Sequence, residues 1–171
     1  STGVQLTKEN SKVAFKERVE KRVDDTEFVI PDTFVSLSRS KEAEAYVKKV
    51  GSYDAYLDGL ADIRYDFQQD RVVYLVKKDG TTIDGTGRSL NGSKPKWRRY
   101  GNSRDPFLSG NGFCGIIVED CPSACCVSDF WVGIALMGTT LLNEHIDVIK
   151  RFKKVYVALD KDATSKAYMM I

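Results

Sequence analysis

Three carboxylates in the second half of the chain follow short apolar runs. Glu119 ends the run at 115–119, and Asp160 and Asp162 end the run at 155–162 as an Asp-x-Asp pair. Where such runs are parallel strands of one sheet, their carboxyl ends meet at one edge, and the chemistry of these sheets collects there. Three carboxylates at one edge suit a hard, oxygen-preferring cation such as Mg²⁺. We expect Asp160 and Asp162 to be metal ligands and Glu119 to be either a ligand or a general base.

The elements that must position these carboxylates are short apolar runs alternating with longer segments. A third run, residues 133–139, lies between the other two and ends in Gly138-Thr139. Helix-length segments separate the runs, a pattern typical of β-α-β-α-β with parallel, buried strands. The remaining acidic residues here are interpreted as helix caps or solvated loop residues: Asp120, Asp129 and Asp147.

An acidic residue after the first strand, Gly-Thr after the second and Asp-x-Asp after the third resemble the Toprim domain. Bacterial-type primases, topoisomerases and some nucleases share that fold. The resemblance rests on residues 118–119, 135–139 and 159–163, with Lys166-Ala167 following. It implies an α/β, Toprim-like parallel core. The residues of these motifs are most similar to those of primases of the bacterial and phage type.

In the first half of the chain the pattern of apolar residues is different, because apolar and polar residues alternate. Alternation from residue 63, together with a strong hairpin signal at Asp79-Gly80, predicts a small antiparallel sheet over residues 63–88. A third strand is possible near residues 97–100, after the Asn91-Gly92 turn.

Two helices are predicted before this sheet. Ser38 or Ser40 caps a helix that ends at Gly51. A second, short helix runs through Leu57 and ends near Gly59. A modest helix signal at residues 14–23 precedes both.

This half adds to the resemblance, because primases of the Toprim class place a small basic subdomain before the Toprim fold. The matching segments follow in the family's order: residues 64–66, 71–76, 79–80, 85–88 and 94–97, ending at 100–103. The resemblance covers residues 36–167 and favours a primase over other Toprim enzymes. It divides the chain into a partly helical N-terminal extension at 1–35, a basic primase-like subdomain at 36–113 and a Toprim subdomain at 114–171.

A basic segment lies between the two halves. Residues 85–104 contain six cations and no acidic residue: Arg88, Lys94, Lys96, Arg98, Arg99 and Arg104. The functional interpretation is a groove that binds template phosphates, with Trp97 or Tyr100 available to stack a base. The alternative is a solvated turn with one half-buried tryptophan. The resemblance implies that Arg88 instead contacts the triphosphate of an incoming nucleotide.

The resemblance implies DNA-dependent RNA primer synthesis: nucleotidyl transfer from ribonucleoside triphosphates on a single-stranded DNA template. The expected cofactor is Mg²⁺ or Mn²⁺. Expected partners are the template and the nucleotides, with a replicative helicase or a separate zinc-binding subunit as further candidates. Two rivals stay open: a non-catalytic nucleic-acid-binding or helicase-recruiting module, and a Toprim nuclease. A topoisomerase is disfavoured because 171 residues leave no room for its strand-passage domains.

Composition sets broad limits. Apolar content of 42% and charged content of 29% are ordinary for a globular protein, and the net charge is only +2. No apolar run approaches the ~20 residues that span a bilayer, so we expect no membrane association. Four cysteines lie at 114, 121, 125 and 126, without the spacing of a zinc ribbon, and are interpreted mainly as core residues. Free thiols without a signal peptide predict a cytoplasmic protein, in the host cell if phage-encoded.

Three features depart from the family. The cysteines of the zinc ribbon and a Gly-Lys-Ser/Thr helicase motif are missing, and the chain stops nine residues after Asp162. The chain is therefore expected to be a fragment, a split gene product or a reduced version that borrows a strand from a partner. The single histidine, His145, is expected to be a surface or packing residue of a helix without a catalytic role.

Overall fold

The computed structural model describes residues 28–138 and 140–159. The helix signal at residues 14–23 and the Asp160 and Asp162 carboxylates lie outside these residues.

A five-stranded antiparallel sheet forms the first half of the described chain. Its strands pair in chain order, each antiparallel to the next. They are β1 (Phe34–Val35), β2 (Ile63–Asp66), β3 (Arg71–Lys78), β4 (Thr81–Ser89) and β5 (Trp97–Arg99). The predicted antiparallel sheet, including its strand near residues 97–100, is confirmed.

The β3–β4 hairpin forms where the sequence predicts it. Asp79 and Gly80 both have positive φ, 51° and 80°. Two successive left-handed residues make the turn that matches the twist of paired strands, and Asp-Gly is a preferred pair for it. The two strands then stay in register from Arg71 opposite Ser89 to Lys78 opposite Thr81, with one irregularity after Val76.

Two helices precede β2. Helix α1 (Lys41–Lys49) begins after Ser40, whose side chain accepts a hydrogen bond from the Ala43 amide, and Gly51 follows it with a φ of 77°. Helix α2 is Tyr53–Leu57, followed by Gly59 with a φ of 72°. Both predicted helices are confirmed. Within the described ranges, no helix is long and apolar enough to cross a membrane.

A second sheet contains the apolar runs that follow residue 113. Strand β7 (Cys114–Val118) pairs in parallel with both β8 (Val132–Ala135) and β9 (Lys154–Val157). Helix α3 (Cys121–Cys126) connects β7 to β8, and α4 (Asn143–Ile149) lies between β8 and β9. The predicted fold class, a parallel β-α-β-α-β core preceded by a small antiparallel sheet with helices, is confirmed.

Two strands of this sheet differ from the expected arrangement. Strand β6 (Phe107–Ser109) pairs antiparallel with β8, so a strand from before residue 114 belongs to the second sheet. The boundary placed at residue 113 stays a prediction. Strand β9 was expected to be buried, but its residues alternate between exposed and half-buried, because within the described chain it lies at one edge of the sheet.

One apolar cluster joins the two sheets. Tyr74 of β3, Phe107 of β6 and Val118 of β7 are all buried in it. The Tyr74 ring lies 5.6 Å from the Phe107 ring, edge to face. The opposite face of the second sheet packs separately, with Ile117 and Ile134 at its centre. The antiparallel sheet and the parallel sheet therefore share a hydrophobic core.

Helix α3 packs against β8 at close range. A Cβ atom at Gly133 would collide with the backbone of Ala124, so the helix can approach only a glycine here. Cys121 and Cys125 of this helix are buried in the shared cluster, as expected for core residues. Burial raises the pKa of the Cys125 thiol to about 11, which keeps it protonated and unreactive at neutral pH. Cys114 is half-buried and Cys126 is exposed.

Candidate active site

Glu119 lies immediately after β7, at the carboxyl end of the parallel sheet. The backbone there is tied to the end of β8, because the Met137 amide donates to the Glu119 carbonyl at 2.7 Å and the Leu136 amide to the Val118 carbonyl at 3.0 Å. Met137 makes this contact with a φ of 57°, in the left-handed region. The structure thus brings Glu119 and the Met137–Gly138 turn to one edge.

The carboxyl end of β9 lies at the same edge. Val157 is opposite Ile117 in the parallel register, and the Ala158 amide donates to the Ile117 carbonyl at 2.8 Å. The chain continues through Leu159 into Asp160 and Asp162, which lie outside the described residues. The carboxylate of Glu119 is the kind of oxygen ligand that Mg²⁺ prefers. No group of three potential metal ligands occurs among the residues that the structure describes.

The neighbouring acidic residues have the structural roles expected of them. Asp120 is the N-cap of α3, and its Oδ1 accepts a hydrogen bond from the Ser123 amide at 2.9 Å. Asp129 and Asp147 are exposed. Of these four acidic residues, Glu119 is therefore the one that remains a candidate ligand at this edge.

Arg88 of β4 lies opposite Val72 of β3 and Trp97 of β5, which both belong to the apolar cluster shared by the two sheets. Its guanidinium carbon is 5.8 Å from the centre of the Tyr46 ring on α1, and its Nε is buried without a hydrogen-bond partner in the described chain. Burial raises the pKa of Tyr46 to about 12; the Arg88 charge opposes this shift and the Asp120 charge adds to it. Tyr46 therefore lies within electrostatic range of both Arg88 and Asp120.

The loop between β4 and β5 presents Lys94 and Lys96, which are both exposed. Arg71, the buried first residue of β3, holds this loop in place through hydrogen bonds to backbone carbonyls. Its Nη1 donates to the Pro95 carbonyl at 2.8 Å and to the Gly87 carbonyl at 3.1 Å. The sequence alone predicted only that Arg71 lies in a strand. Its position directly before five buried apolar residues was a signal that its side chain is buried and hydrogen-bonded to polar atoms of the interior.

The two aromatic residues proposed to stack a base both contact the protein interior. Trp97 is half-buried, with its ring 5.8 Å from that of Tyr74. Tyr100 packs edge to face on Phe34 at 4.8 Å, and its hydroxyl donates to Asp66 Oδ2 at 2.6 Å. Arg98 covers the Tyr100 ring at 5.6 Å.

The three remaining arginines of the basic segment have different environments. Arg98 is exposed and donates to Gln69 Oε1 at 2.7 Å. Arg104 is exposed in the connection between β5 and β6. Arg99 instead forms an ion pair with the fully buried Asp84, with 2.6 Å between Nε and Oδ2. Sequence reasoning did not single out Asp84, because its partner comes from a neighbouring strand.

His145 is a packing residue, as expected. It is 1% exposed, and its Nδ1 accepts a hydrogen bond from the Leu142 amide at 3.0 Å, at the start of α4. Burial lowers the pKa of its imidazole, which favours the neutral ring.

No family model matches the sequence, and no curated protein matches it. The fold, however, is similar to solved structures of bacterial primases. The structure of Aquifex aeolicus primase, with its zinc-binding and RNA polymerase domains, gives a TM-score of 0.58 at 21% identity over 77% of this chain and 47% of that one. The E. coli primase catalytic core gives 0.54 at 16% identity over 75% of this chain and 59% of that one.

A third neighbour is the DnaG primase catalytic domain bound to single-stranded DNA, with a TM-score of 0.53 at 16% identity over 76% of this chain and 58% of that one. The chain therefore spans between 47% and 59% of the length of these three primase chains. The resemblance to Toprim-class primases is confirmed at the level of the fold, which is that of a primase catalytic core.

Proposed function

We propose that this protein synthesises short RNA primers on single-stranded DNA from ribonucleoside triphosphates during DNA replication. The observation that carries the proposal is the placement of Glu119 at the carboxyl edge of the parallel sheet, beside the Met137 turn that Arg99 of the antiparallel sheet contacts, within a primase catalytic fold. An acidic edge beside a basic surface suits a reaction in which two polyanions, template and triphosphate, meet at a divalent cation.

Glu119, Asp160 and Asp162 are the residues that would hold Mg²⁺ or Mn²⁺ in this proposal. Their oxygen ligands fit either ion. Bound there, such an ion would lower the pKa of a 3′-hydroxyl and stabilise the charge of a pyrophosphate leaving group. Glu119 either completes the ligand set or accepts the proton of the hydroxyl.

Arg88 would bind the triphosphate. Its buried Nε lacks an acceptor within the described chain, as expected of a guanidinium that is completed by an anionic ligand. Tyr46 would stabilise the guanidinium through a cation–π contact, because its ring centre lies 5.8 Å from the guanidinium carbon.

The exposed cations of the basic segment would hold the template. Lys94, Lys96, Arg98 and Arg104 all have side chains open to solvent. One solved neighbour is bound to single-stranded DNA, which supports a template groove in this fold. A replicative helicase or a separate zinc-binding subunit would be a further partner in this proposal, and we place the activity in the cytoplasm.

A primer-synthesis assay tests the proposal. The protein is incubated with labelled ribonucleotides, single-stranded DNA and Mg²⁺ or Mn²⁺, beside Asp160→Ala as the matched control. We expect short labelled products from the unaltered chain and none from the variant, with template affinity nearly intact in both. Salt-sensitive DNA binding without products would indicate a recruiting module instead, and a cleaved template would indicate a nuclease.

A further inference from the structure

Arg99 connects three segments of the chain through one guanidinium group. Its Nε donates to Asp84 Oδ2 on β4 at 2.6 Å, and its Nη2 donates to the Asp105 carbonyl, between β5 and β6, at 2.8 Å. Its Nη1 lies 3.8 Å from the Met137 sulfur, just after β8. The planar fork of an arginine presents three separate nitrogens to these partners, whereas the three N–H groups of a lysine share one nitrogen and cannot reach the same three positions.

Moving the Arg99 guanidinium away from Asp84 is energetically unfavourable. The Asp84 carboxylate is fully buried, and its Oδ1 already accepts hydrogen bonds from the Gly85 and Gly101 amides, both at 2.7 Å. Swinging Arg99 toward a DNA phosphate would leave a buried charge without its counter-ion, which is strongly unfavourable. In this respect Arg99 differs from its neighbour Arg98, whose exposed guanidinium contacts a glutamine and an aromatic ring in the part of the chain that the structure describes.

The contact with Met137 links Arg99 to the edge that carries Glu119. Met137 adopts a left-handed φ of 57°, and its amide donates to the Glu119 carbonyl at 2.7 Å. The first sheet, through Asp84 and Arg99, is thereby in contact with the turn that borders the carboxyl end of β7.

We propose that Arg99 is a positioning residue. Paired with Asp84, it fixes the Met137 turn against Glu119 and so sets the geometry of the acidic edge, and it does not bind template phosphate. This inference rests on the proposed function for its effect on primer synthesis, and on the contacts alone for its effect on Met137.

Measurements of template affinity distinguish an arginine that binds template phosphate from one that positions the Met137 turn. The affinity for single-stranded DNA is measured over a range of salt concentrations for Arg98→Ala, Arg99→Lys and Asp84→Asn. We expect Arg98→Ala to reduce the salt slope by about 0.7, the value for one phosphate contact on a single strand. Arg99→Lys and Asp84→Asn are expected to leave the slope unchanged. Because Arg99→Lys keeps the charge, Arg99→Ala completes the set, and a slope reduced as in Arg98→Ala would overturn the proposal.

Kinetics give the second readout. Arg99→Lys is expected to lower kcat for primer synthesis by roughly tenfold to hundredfold, because small displacements of reacting groups have effects of this size. The template dissociation constant should stay within about twofold of its original value. Asp84→Asn should act in the same direction, and the double variant should be no worse than the more severe single one. A lysine variant with full kcat would contradict the proposal, since lysine retains a phosphate contact but not the three-way connection.

A third readout does not depend on activity. The sequence contains three methionines, so the ¹³C-labelled methyl signal of Met137 can be followed by NMR. We expect it to shift in Arg99→Lys and Asp84→Asn and to stay in place in Arg98→Ala. If the unaltered chain makes no primers while the Met137 signal shifts as expected, the proposed function is wrong and the positioning contact stands. An unshifted Met137 signal in both variants would overturn the positioning role even in an active primase.

Discussion

The Nη1 atom of Arg71 lies 2.8 Å from the carbonyl oxygen of Pro95, so a buried cation at the start of β3 holds the loop that presents Lys94 and Lys96. The buried guanidinium of Arg71 thereby fixes the position of the loop that carries the two exposed lysines. Replacing Arg71 by alanine should lower the free energy of unfolding by about 2–3 kcal/mol, because two carbonyls lose a charged donor. Chemical denaturation measures this loss. Template affinity should fall as well, although no exposed cation is removed, and an unchanged affinity would mean that the loop keeps its position without Arg71.

A joint Lys96→Ala/Arg98→Ala change should weaken template binding and flatten its dependence on salt. Each exposed cation that neutralises a phosphate contributes about 0.7 to the slope on a single strand, so the pair should remove about 1.4. Fluorescence anisotropy with labelled single-stranded DNA over a salt series measures this. The matched control is Arg39→Ala, an exposed arginine of the 3-10 turn before α1, which should leave the slope as it was. Equal slopes in all three proteins would exclude the basic loop from the template groove.

His145 should make folding sensitive to mild acid. Burial lowers the pKa of its imidazole below the ordinary value of 6.5, so the unfolded chain binds a proton more readily than the folded one as the pH falls through that value. The stability that neutral His145 supports is present above pH 6.5 and is lost below it, by at most about 1.4 kcal/mol per pH unit for one proton. Denaturation at about pH 7.5 and about pH 5.5, compared with His145→Gln, measures the difference. Because the sequence contains one histidine, the variant should lose the part of the pH dependence that an imidazole contributes.

Gly133→Ala should destabilise the fold by roughly 1–3 kcal/mol, the usual cost of overpacking a well-filled site. The added methyl group would collide with the Ala124 backbone, so α3 would have to move away from β8. Gly138→Ala is the matched control, because no described residue other than its chain neighbours lies within 4 Å of its added Cβ. Thermal unfolding of the two variants should separate them clearly, and equal midpoints would show that α3 adjusts without cost.

The parts of the fold that were predictable from sequence are those specified by neighbouring residues. Asp79-Gly80 encodes its own turn, and Ser40 together with Gly51 encodes the limits of α1. The parallel strands were identifiable because each apolar run is short and ends in Gly or a carboxylate.

The site was predictable only in part, because the environment of a charge depends on strand pairing. Arg98 and Arg99 are adjacent in sequence, yet one is exposed and the other is paired with a buried aspartate. Alternation in β5 places them on opposite faces, but only the register of β5 with β4 brings Asp84 within reach. The exposed edge at β9 likewise follows from strand order, which no local pattern specifies.

The apolar cluster shared by the two sheets has a consequence for folding. Because Tyr74, Phe107 and Val118 are buried against one another, neither sheet can lose its packing without exposing the other's core. The most protected amides of β3 and β7 should therefore exchange with solvent deuterium in a single concerted opening, at the same free energy. A cut at residue 113 would separate β6 from the core of β7 and leave two chains with incomplete interiors, neither able to fold alone.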